Sequence, residues 1–161
     1  MKGEAPIFST LNLLGRMDKR LGFAVREALH ASASFAPPRP LGLEIFLCAL
    51  YRGYPNKMLQ YVRDAGAFER LKEAFWPARV NRVPEWFRKR AVAEDLPDTN
   101  VGWHTQLESD LVRILENASR ISVALRRTST SIPDLVASIA TEEAIYKSLK
   151  QKWGISIRGD H

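Results

Sequence analysis

The stretch from Leu41 to Tyr51, LGLEIFLCALY, constrains the fold more than any other part of the chain. It has no polar residue between Ile45 and Leu50, so a helix there is apolar on every side. Such a helix is buried in a core or crosses a membrane, and a membrane span needs about 20 apolar residues. Periodicity alone leaves a buried strand open. Because the neighbouring segments are rich in Leu, Ala and Met, the stretch predicts a central core helix.

Length and composition favour one globular domain. The chain has 161 residues, of which 45% are hydrophobic and 26% charged, enough to bury a core. Cys48 is the only cysteine, and the first residues lack the apolar segment of a secretory signal. We therefore expect a cytoplasmic protein with no membrane partner. The net charge of +6 suits an acidic partner, and it equally suits charge spread over exposed helices for solubility.

The order of predicted helices repeats along the chain. Each half has a long amphipathic helix, a polar or Pro-rich loop, an apolar helix and a helix that closes on a glycine, Gly66 or Gly154. Thr105 with Glu108 predicts a capping box for the second long helix, whose apolar stripe continues to Leu125. The offset of roughly 89 residues predicts an all-α, pseudo-twofold bundle made of a duplicated four-helix repeat. The predicted domain is 7–155, with repeat one at 7–75, a connector at 76–104 and repeat two at 105–155.

This pattern resembles the Clp N-terminal repeat domain, which precedes the ATPase rings of Clp-type unfoldases. The likeness is greatest to the N-terminal domain of ClpV, the unfoldase of type VI secretion. Residues 7–12, IFSTLN, are similar to the family's opening LFxxLN, and residues 41–50, LGLEIFLCAL, to its short apolar helix. Glu44 is retained there, and Ile45 stands where the family has His. Residues 57–66, 109–118 and 131–136 are similar to later helices of the family.

The resemblance implies a non-catalytic module that recognises a helix or an unfolded segment of a protein partner. In the ClpV-like domain it implies docking of a sheath-protein helix along the N-terminal helix; other Clp N-domains receive adaptors or substrates. The expected groove residues are Phe8, Leu11 and Leu14, with Asn12 fixing a backbone group. The alternative is that these side chains only cap the bundle.

Chemistry of its own is not expected of this chain. A P-loop needs GxxxxGK[ST], and no Gly-Lys dipeptide occurs, so the chain is expected to be a standalone homologue or a part of a larger unfoldase. Cys48 with His30 or His104 is a weak nucleophile–base candidate, because a thiol within an apolar helix packs as a small hydrophobe. The histidine spacing fits no zinc motif. We predict no enzyme activity, no cofactor and no metal.

The connector supports a different hypothesis, namely nucleic-acid binding. Basic residues alternate there with aromatic ones that stack on bases. The candidate contacts to nucleic acid or to an acidic partner are Arg79, Arg82, Trp86, Arg88, Lys89 and Arg90. A third hypothesis is a structural helical protein without a groove.

Overall fold

The computed structural model describes residues 16–33, 40–76 and 107–158. Within these ranges the chain forms seven helices and no sheet, which confirms the all-α prediction. The helices are, in chain order, α1 (Lys19–Ala33), α2 (Leu43–Gly53), α3 (Pro55–Leu59), α4 (Ala65–Phe75), α5 (Ser109–Ala124), α6 (Ile132–Thr141) and α7 (Glu143–Trp153). None of the helices in this part of the chain is long and apolar enough to cross a membrane.

The apolar stretch is the predicted core helix. In α2, Leu43 and every residue from Ile45 to Leu50 are buried, and only Glu44 of the first two turns reaches solvent in part. Phe46 and Leu50 have no exposed surface at all. The helix packs between α1 and α4, where Tyr51 stacks on Phe68 with ring centroids 4.6 Å apart. Burial on all sides explains why the sequence has no polar face here.

The second half has a corresponding arrangement of α5, α6 and α7. Helix α6 packs against α5 and α7, as α2 packs against α1 and α4. The buried positions of the two long helices correspond at nearly the same sequence offset: Leu21 with Leu111, Val25 with Leu115, and Ala28 with Ala118. Helices α4 and α7 meet at their last residues, where Phe75 and Trp153 make an edge-to-face contact at 5.3 Å.

Short backbone bridges join the two halves. Met17, just before α1, pairs with Thr130, just before α6, while Leu41, just before α2, pairs with Leu107, just before α5. The hydrogen bonds also correspond: Asp18 N–H donates to the Thr130 carbonyl at 2.9 Å, and Glu108 N–H to the Leu41 carbonyl at 2.8 Å. The segment before each long helix is therefore paired with the segment before the apolar helix of the other half.

Three helix boundaries differ from the sequence prediction. Gly66 does not close a helix; it lies in the first turn of α4, where its N–H donates to the side chain of the N-cap residue Asp64. Helix α5 begins at Ser109 with Glu108 as N-cap, because Glu108 N–H is held in extended backbone by Leu41. Leu125 is exposed rather than in the core, since α5 ends at Ala124 and the chain leaves the helical path there.

Two further helix boundaries have clear local signals in the sequence, Ser131 before Pro133 and Asp134, and Gly154 at the end of the last apolar stripe. Ser131 is the N-cap of α6, and Asp134 in its first turn accepts hydrogen bonds from the N–H and the hydroxyl of Ser131, both at 3.0 Å. Gly154 ends α7 in the left-handed conformation, with φ of 75°. The domain limits at 7 and 155 stay a prediction.

Candidate functional site

Both groups of predicted contact residues lie outside the described ranges. The groove residues are Phe8, Leu11, Asn12 and Leu14, and the connector residues are Arg79, Arg82, Trp86, Arg88, Lys89 and Arg90. Both groups therefore stay predictions. The structure instead places the points where these two segments join the folded helices.

The N-terminal segment joins the fold at the loop between α5 and α6. Thr130 N–H donates to the Arg16 carbonyl at 2.9 Å. The Arg16 guanidinium donates to the Ser122 hydroxyl at 2.9 Å and to the Arg127 carbonyl at 3.2 Å. Ser122 is buried, and its hydroxyl in turn reaches the Ser119 carbonyl and the Thr130 hydroxyl. Residue 16, two positions after the last predicted groove residue Leu14, is thus fixed to the second half of the molecule.

The loop that receives Arg16 has a defined conformation. Arg126 N–H donates to the Val123 carbonyl, and Arg127 N–H to the Ser122 carbonyl, the paired bonds of a Schellman motif. That motif needs a left-handed residue, and Arg126 occupies it with φ of 58°. Arg127 then donates to the buried carboxylate of Asp134 at 2.5 Å. These bonds hold the backbone on which residue 16 rests.

Two exposed apolar side chains lie at this same end of α5. Val123 and Leu125 each keep 57% of their surface exposed, and no other large apolar side chain in the described ranges is so exposed. Exposed Arg120 precedes Val123 by one helical turn, and exposed Arg126 follows Leu125. We call these four residues the α5 corner. The sequence pattern did not predict this corner, because Leu125 lies at the same helical spacing as the buried apolar residues of α5. The polar residues that follow Leu125 were the available sign that the helix ends there.

Trp76 and Leu107, the described residues on either side of residues 77–106, lie at opposite ends of α2. At the start of the connector, the Arg52 guanidinium lies 4.7 Å from the ring centroid of Trp76, a cation–π contact. Leu107, the first described residue after the connector, pairs with Leu41. The 11 residues of α2 separate these points by about 16 Å. A few extended residues would cover that distance, whereas residues 77–106 lie between Trp76 and Leu107 in the sequence.

Two carboxylates lie close together at the N-termini of α2 and α5. A Cβ added to Gly42 would lie 2.7 Å from Glu108 Oε1 and 3.3 Å from Glu44 Oε1, so both carboxyl groups lie over this glycine. Burial raises the pKa of Glu108, and the charges of Glu44 and Asp110 add to the effect. These residues sit at the N-termini of α2 and α5, where negative charge is favourable. Within the described ranges no group of three or more side chains is arranged to hold a metal ion.

Cys48 is buried, as its position in an apolar helix predicts. It is only 1% exposed, and burial, with the nearby charge of Glu44 second, raises its pKa to about 12. The nucleophile is the thiolate, so a thiol with this pKa is unreactive at neutral pH. His30 lies on α1, and His104 lies outside the described residues.

Comparison with known proteins gives no relative: no protein-family model, no curated protein and no solved structure matches the chain.

Proposed function

We propose that this chain is a non-catalytic module that recognises a helix or an unfolded segment of another protein. In this proposal the N-terminal residues Phe8, Leu11, Asn12 and Leu14 form the binding groove. The partner is a sheath protein of a type VI-like secretion system, an adaptor or an unfoldase substrate, met in the cytoplasm. The chain then acts as part of, or beside, a Clp-type unfoldase.

The observation that carries the proposal is the attachment of Arg16 to the loop between α5 and α6. Two backbone hydrogen bonds between this region and Thr130, and two more from the Arg16 side chain, fix the end of the N-terminal segment. In the proposal, this fixed point reduces the freedom that is lost when a partner binds next to it. Val123 and Leu125, at the end of α5 that precedes this loop, are both exposed.

The proposal includes a duplicated architecture. Two backbone bridges support it, Met17 with Thr130 and Leu41 with Leu107. In each bridge, the segment before the long helix of one half pairs with the segment before the apolar helix of the other half. An exchange of this kind is what a twofold axis between two copies of one helical unit produces. It also agrees with the sequence pattern that resembles the paired Clp repeats.

Titration of a fluorescent sheath-protein helix with the chain tests the function. We expect saturable binding that survives moderate salt and falls at least about tenfold when Phe8 or Leu11 is changed to Asp, a loss of about 1.4 kcal/mol. Lys147→Asp, on the exposed surface of α7, is the control and should leave binding unchanged. If neither sheath helices nor generic unfolded peptides bind the wild-type chain, the proposal is wrong.

A second candidate function is nucleic-acid binding by the connector. It is favoured by the Arg52–Trp76 contact, which places a cation and an aromatic ring together where the connector begins. Binding of single-stranded RNA should then fall steeply and linearly with the logarithm of salt concentration. It should also weaken when Arg88, Lys89 and Arg90 are changed to Ala, and remain when Phe8 is changed to Asp. RNA binding that is absent at low salt excludes this function.

A further inference from the structure

The two backbone bridges that correspond between the halves differ in charge. Beside the bridge of Met17 with Thr130, carboxylate and guanidinium groups balance each other. The buried carboxylate of Asp134 pairs with Arg127 at 2.5 Å, and the Arg16 guanidinium donates to the Arg127 carbonyl at 3.2 Å. This bridge therefore lies beside charge that is already neutralised.

The bridge of Leu41 with Leu107 lies beside two carboxyl groups instead. A Cβ added to Gly42 would lie 2.7 Å from an oxygen of Glu108 and 3.3 Å from an oxygen of Glu44, so one α-carbon lies beneath both groups. Gly42 follows Leu41, whose carbonyl accepts the hydrogen bond of Glu108 N–H at 2.8 Å. The two carboxyl groups are thus placed next to the hydrogen bond that joins the halves.

The charges that act on Glu108 within the described ranges are both acidic. They are Glu44 on α2 and Asp110 on α5, and residues 40–42 before α2 carry no charge. Burial raises the pKa of Glu108 above its ordinary value of 4.5, and the charges of Glu44 and Asp110 raise it further. A helix N-terminus favours negative charge, but burial and like charges that share a site disfavour ionisation, and here the second effect is the greater. Glu108 keeps exposed surface, so it exchanges protons directly with solvent.

We infer that the Leu41–Leu107 bridge is a pH-sensitive junction, which strengthens when Glu108 takes up a proton and donates it in a hydrogen bond to Glu44. The Met17–Thr130 bridge does not respond in this way, because an arginine already neutralises its buried carboxylate. A carboxyl group whose pKa is raised by folding contributes most to stability at low pH, and the contribution is lost as the pH rises through the raised pKa. The inference concerns the joining of the two halves and does not depend on the proposed function.

Amide hydrogen exchange of the full chain, followed by NMR, tests the inference. The protection factor compares exchange of one N–H with that of an unstructured peptide at the same pH. For Glu108 N–H it should fall at least about threefold between about pH 4.5 and about pH 7.5, since the ionised carboxylates repel each other. Asp18 N–H, which donates to the Thr130 carbonyl at 2.9 Å, is the internal reference and should keep its protection.

Three variants assign the response to the carboxyl pair. Glu108→Gln should remove the pH dependence of this protection, and Glu44→Gln should reduce it. Glu116→Gln, two turns further along α5, is the matched control and should behave as the wild type. Equal protection of Glu108 N–H at both pH values in the wild type overturns the inference. So does an equal fall at Asp18, which is a general loosening of the fold, or a wild-type response in both Glu108→Gln and Glu44→Gln.

Discussion

The two halves of the molecule place similar helices in the same order around different interiors. In the first half, the buried residues include Leu41, which precedes the apolar helix α2, and Ile45 and Ala49 within that helix. The corresponding positions of the second half are Thr130, Asp134 and Ser138, and all three are buried as well. Helix α2 is followed by a short extra helix, α3, before α4 begins, whereas only Glu142 separates α6 from α7.

The buried polar side chains of α6 have no counterpart in α2, which buries only apolar residues; the polar side chains that the first half buries, Arg26, Glu27 and Ser32, lie on α1. Buried polar groups need hydrogen-bond partners. Ser138 donates to the Ile114 carbonyl at 2.6 Å, and Asp134 accepts from Arg127 and Ser131. Ser122 receives its hydrogen bond from Arg16, across the boundary between the halves. The difference shows that the second half has polar side chains where the first half has apolar ones. These polar side chains hold the loop between α5 and α6, to which Arg16 is bonded.

The largest expected effect is on the apolar interior of the first half. Phe46→Ala should lower the free energy of unfolding by about 4 kcal/mol, because the side chain is completely buried in the middle of α2. Leu135→Ala, at the matched position of α6, should cost about 3 kcal/mol. Urea denaturation of both variants measures this. Equal losses below about 1 kcal/mol would mean that neither helix lies in a packed core.

The next effect tests the polar interior of the second half. Asp134→Ala removes a buried carboxylate together with its bonds to Arg127 and Ser131 and should cost about 3 kcal/mol. The control is Asp64→Ala in the pair with Arg70, whose side chains are 55% and 53% exposed; this change should cost about 1 kcal/mol, mostly from the lost N-cap. A smaller loss for Asp134→Ala than for its control would contradict the comparison.

Much of this fold follows from the sequence, and the exceptions have physical reasons. The apolar run in α2 and the Ser131–Asp134 cap are readable because their signals are local. The prediction for Gly66 was wrong because a glycine after an apolar stripe can end a helix or lie in the first turn of the next one. Here Asp64 is the N-cap that accepts a hydrogen bond from Gly66 N–H, so Gly66 lies in a first turn. The position of Glu108 depends on Leu41, which is far away in the chain. The exposure of Leu125 was not predicted because its spacing continues the apolar stripe, while the helix ends at Ala124 in a local turn closed by Arg126 and Arg127.

A smaller effect concerns the two left-handed residues that end α5 and α7. Arg126→Gly should stabilise the chain by about 1 kcal/mol, since a side chain is unfavourable at a φ of 58°. Gly154→Ala should instead destabilise it by about 1 kcal/mol or more, because φ is 75° and the new Cβ would lie 2.8 Å from Arg70. Thermal melts of the two variants should therefore shift in opposite directions. If both melting temperatures shift in the same direction, the left-handed conformation of Arg126 or of Gly154 is contradicted.

The smallest effect makes the two interiors more alike. Ser138→Ala places the first half's residue, Ala49, at the corresponding site of α6. The change removes the bond to the Ile114 carbonyl, and the expected loss is about 0.5–1 kcal/mol because no polar donor is left buried without a partner. The converse change, Ala49→Ser, should cost more, since it buries a hydroxyl in an apolar helix. If urea denaturation shows that both changes lower the free energy of unfolding equally, the interiors of the two halves do not differ in polarity at this position.

Hydrogen–deuterium exchange, measured with and without a saturating sheath-protein helix, tests the central claim most directly. The claim is that recognition occurs where the N-terminal segment meets the loop between α5 and α6. We predict slower exchange in peptides covering residues 7–15 and 120–131, with residues 76–104 unchanged. Protection confined to 76–104 would contradict the claim.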